Sequence, residues 1–268
     1  MPPSRSLVTA LTAMALTFST VEASTPAFDR LVVFGDSLSD TGNAGRFSNG
    51  PVWVEQLASR LGVALAPNRQ GGLNFAVGGA RLDPLSGPHS LRAQTDHFLR
   101  TPVAPTRTLY IVYGGGNDLL AAVGRPDGPA MVDRAVASLK SVLEDLLQQG
   151  ATDILVPNLP DVGMTPAIQR QGHQAVADAG RLTTRFNGKL ERVFTDLAAK
   201  PDVRFHRLDV WALGERARAD PTAFGFVNVV APCERLPSCQ GYLFWDDVHP
   251  TARAHSRLTE AAFRAVSP

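Results

Sequence analysis

An excess of charge of either sign is missing from this sequence: 26 Lys and Arg stand against 25 Asp and Glu, for a formal net charge of +1. Nucleic-acid binders usually carry a basic excess or stripe, and none is found. Nor is there a run of about five like charges of the kind that marks an interaction tail. A disordered chain is excluded as well, because 44% of the residues are hydrophobic. Cysteine is scarce. Only Cys233 and Cys239 occur, which excludes a disulfide-built miniature fold and a lipid-modified cysteine behind a leader. No apolar run reaches the roughly 20 residues that a membrane-spanning helix requires. Dinucleotide (G-x-G-x-x-G) and P-loop (G-x-x-x-x-G-K) spacings are missing, as is the G-x-S-x-G elbow of α/β-hydrolases. His89, His97, His173, His206 and His255 are scattered, so no metal-ligand spacing emerges and no cofactor is expected.

What is present begins with a leader. Arg5 gives a positive start, Leu7 to Phe18 is apolar but broken by Thr9, Thr12 and Thr17, and Val21-Glu22-Ala23 supplies small residues for cleavage. Residues 1–23 are therefore expected to be a secretory signal peptide, and residues 24–268 one mature domain without an integral membrane segment, exported to the periplasm or the medium. A compact chain of this length buries about 70 to 75% of its unfolded surface, enough for a core of its own.

Along the mature chain, short apolar runs alternate with longer amphipathic stretches, as in a parallel sheet flanked by helices. Strands are expected at Leu31 to Phe34, Leu109 to Tyr113, Ile154 to Pro157 and Val203 to Leu208. Helices are expected at Pro51 to Leu61, Met131 to Gln149, Ile168 to Ala199 and Thr251 to Val266. There is no linker and no internal repeat.

In such folds chemistry gathers beyond the C-terminal ends of the strands. Four polar clusters lie there. Gly35-Asp36-Ser37-Leu38-Ser39-Asp40 leaves the first strand in a tight turn, which would place Ser37 at the start of a helix, where developing negative charge is favoured; a capping serine is the plain alternative. Asn74 to Ala80 carries the pair Gly78-Gly79, which by itself marks only a bend. Tyr113 to Asp118 places three glycines before Asn117. Trp245 to Pro250 sets Asp246 three residues before His249, so one turn can bring carboxylate to imidazole and fix its tautomer. A metal site at Asp246, Asp247 and His249 lacks a further His or Cys ligand. Cys233 and Cys239, an even pair with five residues between them in an exported chain, are expected to form a disulfide, with two buried thiols as the alternative.

Taken in order, G-D-S-L-S-D-T-G-N at Gly35 to Asn43, R-F-S-N-G-P-V-W at Arg46 to Trp53, N-F-A-V-G-G-A at Asn74 to Ala80, G-G-N-D at Gly115 to Asp118 and D-x-x-H-P at Asp246 to Pro250 make the chain resemble a G-D-S-L esterase/lipase of the SGNH hydrolase superfamily. Val156 to Gly163 and Tyr242 to Trp245 resemble the bacterial branch of secreted phospholipases and autotransporter esterases, here expected without the membrane barrel because the chain stops at Pro268. The resemblance implies a flavodoxin-like three-layer α/β/α sandwich around a central parallel sheet. It also implies Ser37 as nucleophile, His249 as base and Asp246 as its orienting partner. The oxyanion donors implied are the Ser37 N–H, a backbone N–H of the second block and the Asn117 side chain. Counting from Asn74 favours Gly79, with Gly78 as the alternative. The implied activity is hydrolysis of carboxylic esters through an acyl-enzyme on Ser37, the substrate being a small-molecule or lipid ester and not a nucleic acid. The competing reading is a catalytically silent lipid- or glycan-binding domain of the same fold. Loss of Ser37, Asn117, Asp246 or His249 would favour it, and all four are present.

Overall fold

Strand β1 (Arg30–Gly35), strand β2 (Thr108–Tyr113) and strand β3 (Asp153–Pro157) are apolar along nearly their whole length, and Leu31 to Phe34, Leu109, Ile111, Val112 and Ile154 to Val156 are all buried. Continuous apolar strands of this kind need cover on both faces, which is the condition of a parallel sheet between helical layers. The computed structural model, which describes residues 28–100, 106–198 and 202–267, shows this arrangement. The proposed signal peptide, residues 1–23, lies outside the described residues.

The sheet runs β1-β2-β3-β4, all parallel, with β4 at Arg204–Leu208. Arg30 pairs with Thr108 and Gly35 with Tyr113, so β1 and β2 end level with each other. A fifth position exists beyond β1. The Val33 N–H donates to the Leu73 carbonyl at 3.0 Å and the Phe75 N–H to the Val33 carbonyl at 2.8 Å. The chain therefore runs outward from β1 in both directions, and the crevice at the end of β1 is a topological switch point, where doubly wound folds place their ligands.

Helix α1 (Trp53–Leu61) and helix α8 (Ala252–Val266) pack together, and helix α2 (Leu91–Leu99), helix α3 (Gly116–Ala122), helix α4 (Gly128–Gln148) and helix α6 (His173–Leu197) form a second packed group. The fold is the three-layer α/β/α sandwich expected. The remaining elements are helix α5 (Pro166–Gln169), helix α7 (Val210–Ala219) and a two-stranded parallel pair, β5 (Asn228–Pro232) and β6 (Tyr242–Phe244).

Two expectations about helices need correcting. The single helix Ile168 to Ala199 is two, α5 and α6: α5 stops at Gln169 with Arg170 as its cap, and Gly172, whose φ of 92° suits glycine, caps the start of α6. Pro51 precedes the Val52 cap and does not open α1.

Cys233 and Cys239 form a disulfide with Cα atoms 5.1 Å apart. The Cys233 and Glu234 N–H groups both donate to the Trp245 carbonyl, at 3.0 and 2.7 Å, so the bridged loop holds the residue just before Asp246. Closing so short a loop stabilises the protein by about 2 kcal/mol in the chain-entropy view. Replacing both cysteines by serine is expected to lower the melting temperature and kcat while the far-ultraviolet circular dichroism is kept. An unchanged kcat would show that the loop holds Asp246 without help from the bridge.

Candidate active site

Ser37 follows β1 directly, in a hydrogen-bonded turn in which the Ser39 N–H donates to the Asp36 carbonyl at 3.0 Å and the Leu38 N–H to Asp36 Oδ1 at 3.0 Å. This corrects the expectation of a helix there. No helix begins before Trp53 among the described residues, so Ser37 stands on a tight turn and gains nothing from a helix dipole at its own N–H. Its Oγ lies 2.9 Å from His249 Nε2, and His249 Nδ1 lies 2.7 Å from Asp246 Oδ2. The structure thus brings Ser37, His249 and Asp246 into one line.

Asp246 is held from its other side. Its Oδ1 accepts the N–H groups of Val248 at 2.9 Å and His249 at 2.6 Å. Burial pushes this carboxyl up, but the bonds from the imidazole and the two backbone donors outweigh it and leave Asp246 below the usual carboxylate range. Asp247 points away and pairs with Arg170 at 2.6 Å. The Phe47 ring stands 5.2 Å from the His249 ring, centre to centre, and closes one side of the imidazole.

Opposite the serine are the glycine pair and Asn117. The Gly78 N–H donates to Asp40 Oδ2 at 2.9 Å. Phe47 packs so closely over Gly78 that a Cβ there would strike its ring. Gly79 has φ 78°, and its N–H has no acceptor among the described residues. Of the two adjacent glycines, then, Gly78 is used in building the turn and Gly79 keeps a free donor. Asn117, in the first turn of α3, donates from Nδ2 to the Ala80 carbonyl at 3.0 Å. An amide nitrogen carries two protons, so the second is available to another acceptor. Asp118 ties the same two segments by accepting the N–H groups of Leu82 at 2.9 Å and Asp83 at 3.0 Å.

Several structural residues of the site escape sequence reading. Asp40, fully buried, accepts four backbone N–H groups, those of Gly42, Asn43, Ala44 and Gly78. Buried Asn74 donates to the Ser39 carbonyl at 2.8 Å and to Thr41 Oγ at 2.9 Å. Both lie inside the recognised motifs, where the short turn residues around them are the available signal. No group of three or more His, Cys, Asp or Glu side chains converges to hold a metal ion among the described residues.

Two buried titratable groups flank the triad. His255 donates nothing to it; burial, followed by the charges of His249 and Arg46, lowers its pKa to about 3, so it stays neutral while accepting the Trp53 N–H at 3.3 Å. Asp36, 3% exposed, is raised by burial from 3.8 to about 6, against the opposing pull of the Leu38 N–H and of His249. A carboxyl raised in the folded state costs nothing below its unfolded pKa and destabilises increasingly as pH climbs to its folded pKa. The stability of Asp36→Asn relative to wild type should therefore grow by about 3 kcal/mol between about pH 3.5 and 7, measured by urea unfolding. A difference that is flat with pH would place the proton elsewhere.

The family model of GDSL-like lipases and acylhydrolases matches residues 31–262. The chain belongs to this family. Lipase 1 of Photorhabdus luminescens is 34% identical over 96% of this chain and 53% of its own, and the phosphatidylcholine-sterol acyltransferase of Aeromonas hydrophila is 29% identical over 91% and 92%. The chain spans about half the length of the former and most of the latter. Among solved structures, an acetylxylan esterase from Geobacillus stearothermophilus shares the fold with a TM-score of 0.56, at 16% identity over 89% of this chain and 94% of its own.

Proposed function

We propose that the protein hydrolyses acyl esters, from short-chain esters to lipids and phospholipids, through an acyl-enzyme on Ser37. The observation that carries this reading is the hydrogen-bonded line from Ser37 Oγ through His249 to Asp246, at 2.9 and 2.7 Å. Ser37 attacks the ester carbonyl and gives its proton to His249 Nε2, while Asp246 holds Nδ1–H and the positive charge formed. The tetrahedral oxyanion is received by the Ser37 N–H, the Gly79 N–H and the second Nδ2 proton of Asn117. His249 then protonates the departing alcohol, leaving the acyl group on Ser37. Water activated by His249 releases the acid. The same acyl-enzyme serves a lipase and an acyltransferase, which differ in the acceptor, water or an alcohol, that takes the acyl group.

Export fits this reading. The Cys233–Cys239 bond belongs to an oxidising compartment. Among the described residues no helix is long and apolar enough to cross a membrane. Residues 1–23 act as the signal peptide, and residues 24–268 as one hydrolase domain. The experiment is labelling with a fluorophosphonate, which reacts only with an activated serine, followed by peptide mapping. Labelling at Ser37 is expected. Folded wild-type protein that takes no label would favour the silent binding domain.

Asn117→Ala should lower kcat about 100- to 1,000-fold, or about 2.7 to 4 kcal/mol, with KM nearly constant, since the oxyanion exists only after the ground state. Asn117→Asp should be at least as damaging, because a carboxylate cannot donate and repels the oxyanion. Normal kcat for the alanine variant would leave Asn117 with only its bond to Ala80.

A further inference from the structure

A second cavity, about 140 Å³, opens beside the one of about 80 Å³ that holds Ser37, Asn117 and His249. Leu38, Tyr113, Pro160, Thr165 and Val248 line both, so the two share a wall, and Leu38 and Val248 on that wall are the chain neighbours of Ser37 and His249. The larger cavity runs between the segment after β3, helix α7 and strand β6, against Met164, Phe226 and Phe244. Three of its polar wall residues direct hydrogen bonds elsewhere. Asp161 Oδ1 accepts the Gly163 N–H at 2.9 Å, Thr165 Oγ donates to the Val162 carbonyl at 2.8 Å, and Arg257 donates to the Phe224 carbonyl at 3.0 Å. The interior is left mostly apolar, with Tyr113 contributing a hydroxyl to the wall.

Gly214 lies on this wall, in the middle of α7. Glycine inside a helix costs about 0.5 to 1 kcal/mol relative to alanine, as a general rule. Nothing in the backbone requires it here, since its φ is not positive. Nor does crowding, since a Cβ would meet only Met164 Sδ at 3.7 Å and Pro160 Cβ at 3.8 Å, ordinary contacts with residues on the wall of the same cavity. What glycine leaves at this point is room.

Building on the Ser37 ester-hydrolase reading, we propose that this cavity receives the acyl chain of the substrate and that Gly214 sets the length accepted. An apolar cavity of about 150 Å³ takes a benzene-sized ligand, about six carbons, so the chemistry it recognises is a medium-length, unbranched acyl group and not an acetyl group or a sugar. Gly214 touches no reacting atom. It acts on specificity alone.

The test compares p-nitrophenyl esters from acetyl to decanoyl on the full protein. Wild-type kcat/KM should climb about fourfold per methylene up to about six carbons and then level off. Gly214→Leu should cut hexanoyl and octanoyl turnover by about 50-fold and leave the acetyl ester within about twofold. A wild-type profile flat with chain length, or a leucine variant slowed equally on all esters, overturns the proposal. Gly214→Ala, whose Cβ makes only ordinary contacts, supplies a graded version should leucine disturb folding: a smaller loss confined to the longer chains is expected, and none would overturn it. Calorimetric titration of octanoate into Ser37→Ala separates the two readings. Octanoate should bind this variant and be lost on adding Gly214→Leu, whatever residue carries catalysis; no binding of octanoate overturns the cavity assignment, while binding with unimpaired turnover in Ser37→Ala overturns only the assignment of the nucleophile.

Discussion

Ser37→Ala is expected to lower kcat by about a million-fold, the scale seen when the nucleophile of a Ser-His-Asp hydrolase is removed. The serine has no substitute: Ser39, the nearest hydroxyl in sequence, is fully buried and its Oγ accepts the Trp53 indole N–H at 3.1 Å. Folding should be nearly untouched, because the Ser37 hydroxyl makes one hydrogen bond, to His249, and methyl fits where a methylene already stands. Turnover should therefore vanish while the melting temperature holds. Some rate above that in water should survive, since the Gly79 and Asn117 donors remain in place. A variant that keeps more than about a tenth of wild-type kcat would move the nucleophile to another residue.

Asp246→Asn should cost about 10⁴ in kcat, for a reason of geometry and not of stability. The aspartate uses Oδ1 for the Val248 and His249 N–H groups and Oδ2 for the imidazole. An asparagine that keeps its oxygen on the two backbone donors turns its NH₂ toward Nδ1. The imidazole then places its proton on Nε2 and points a donor at Ser37, which leaves no acceptor for the serine proton. Asp246→Ala should differ in kind, because it also frees the loop and should lower the melting temperature. Equal melting losses for the two variants would mean that the carboxylate acts mainly as a loop anchor.

The sheet is legible because β1, β2 and β3 are unbroken apolar runs, and all four expected strands lie within a residue or two of those observed. The site motifs are legible because each follows one of those runs or precedes α8. What escapes reading is local structure that tertiary contact decides. Helix α3 opens on Gly116 inside a glycine-rich stretch, and α7 carries Gly214 at mid-length with Glu215, Arg216 and Arg218 after it, so neither shows a helical apolar stripe. The fifth sheet position rests on three hydrogen bonds, two between Val33 and residues 73 and 75 and one from the Val77 N–H to the Gly35 carbonyl, too short a pairing for periodicity to reveal. The choice between Gly78 and Gly79 is likewise invisible in spacing, because the contact that occupies the Gly78 N–H comes from Asp40, 38 positions away.

Ser37 and His249 are 212 positions apart, and the contacts that bring them together are the seams between the α1 region and α8. Ser48 Oγ donates to the Pro250 carbonyl at 2.9 Å, the Ala252 N–H to Asn49 Oδ1 at 2.7 Å, and Thr259 Oγ to the Trp53 carbonyl at 3.1 Å. Contacts this distant in sequence form slowly, after the local ones. A growing or refolding chain can thus assemble β1, β2 and β3 with its serine already on the turn and still turn over no ester, because the base arrives only when α8 docks. The onset of esterase activity is a clock for that final docking event, and it should lag behind the burial of the sheet.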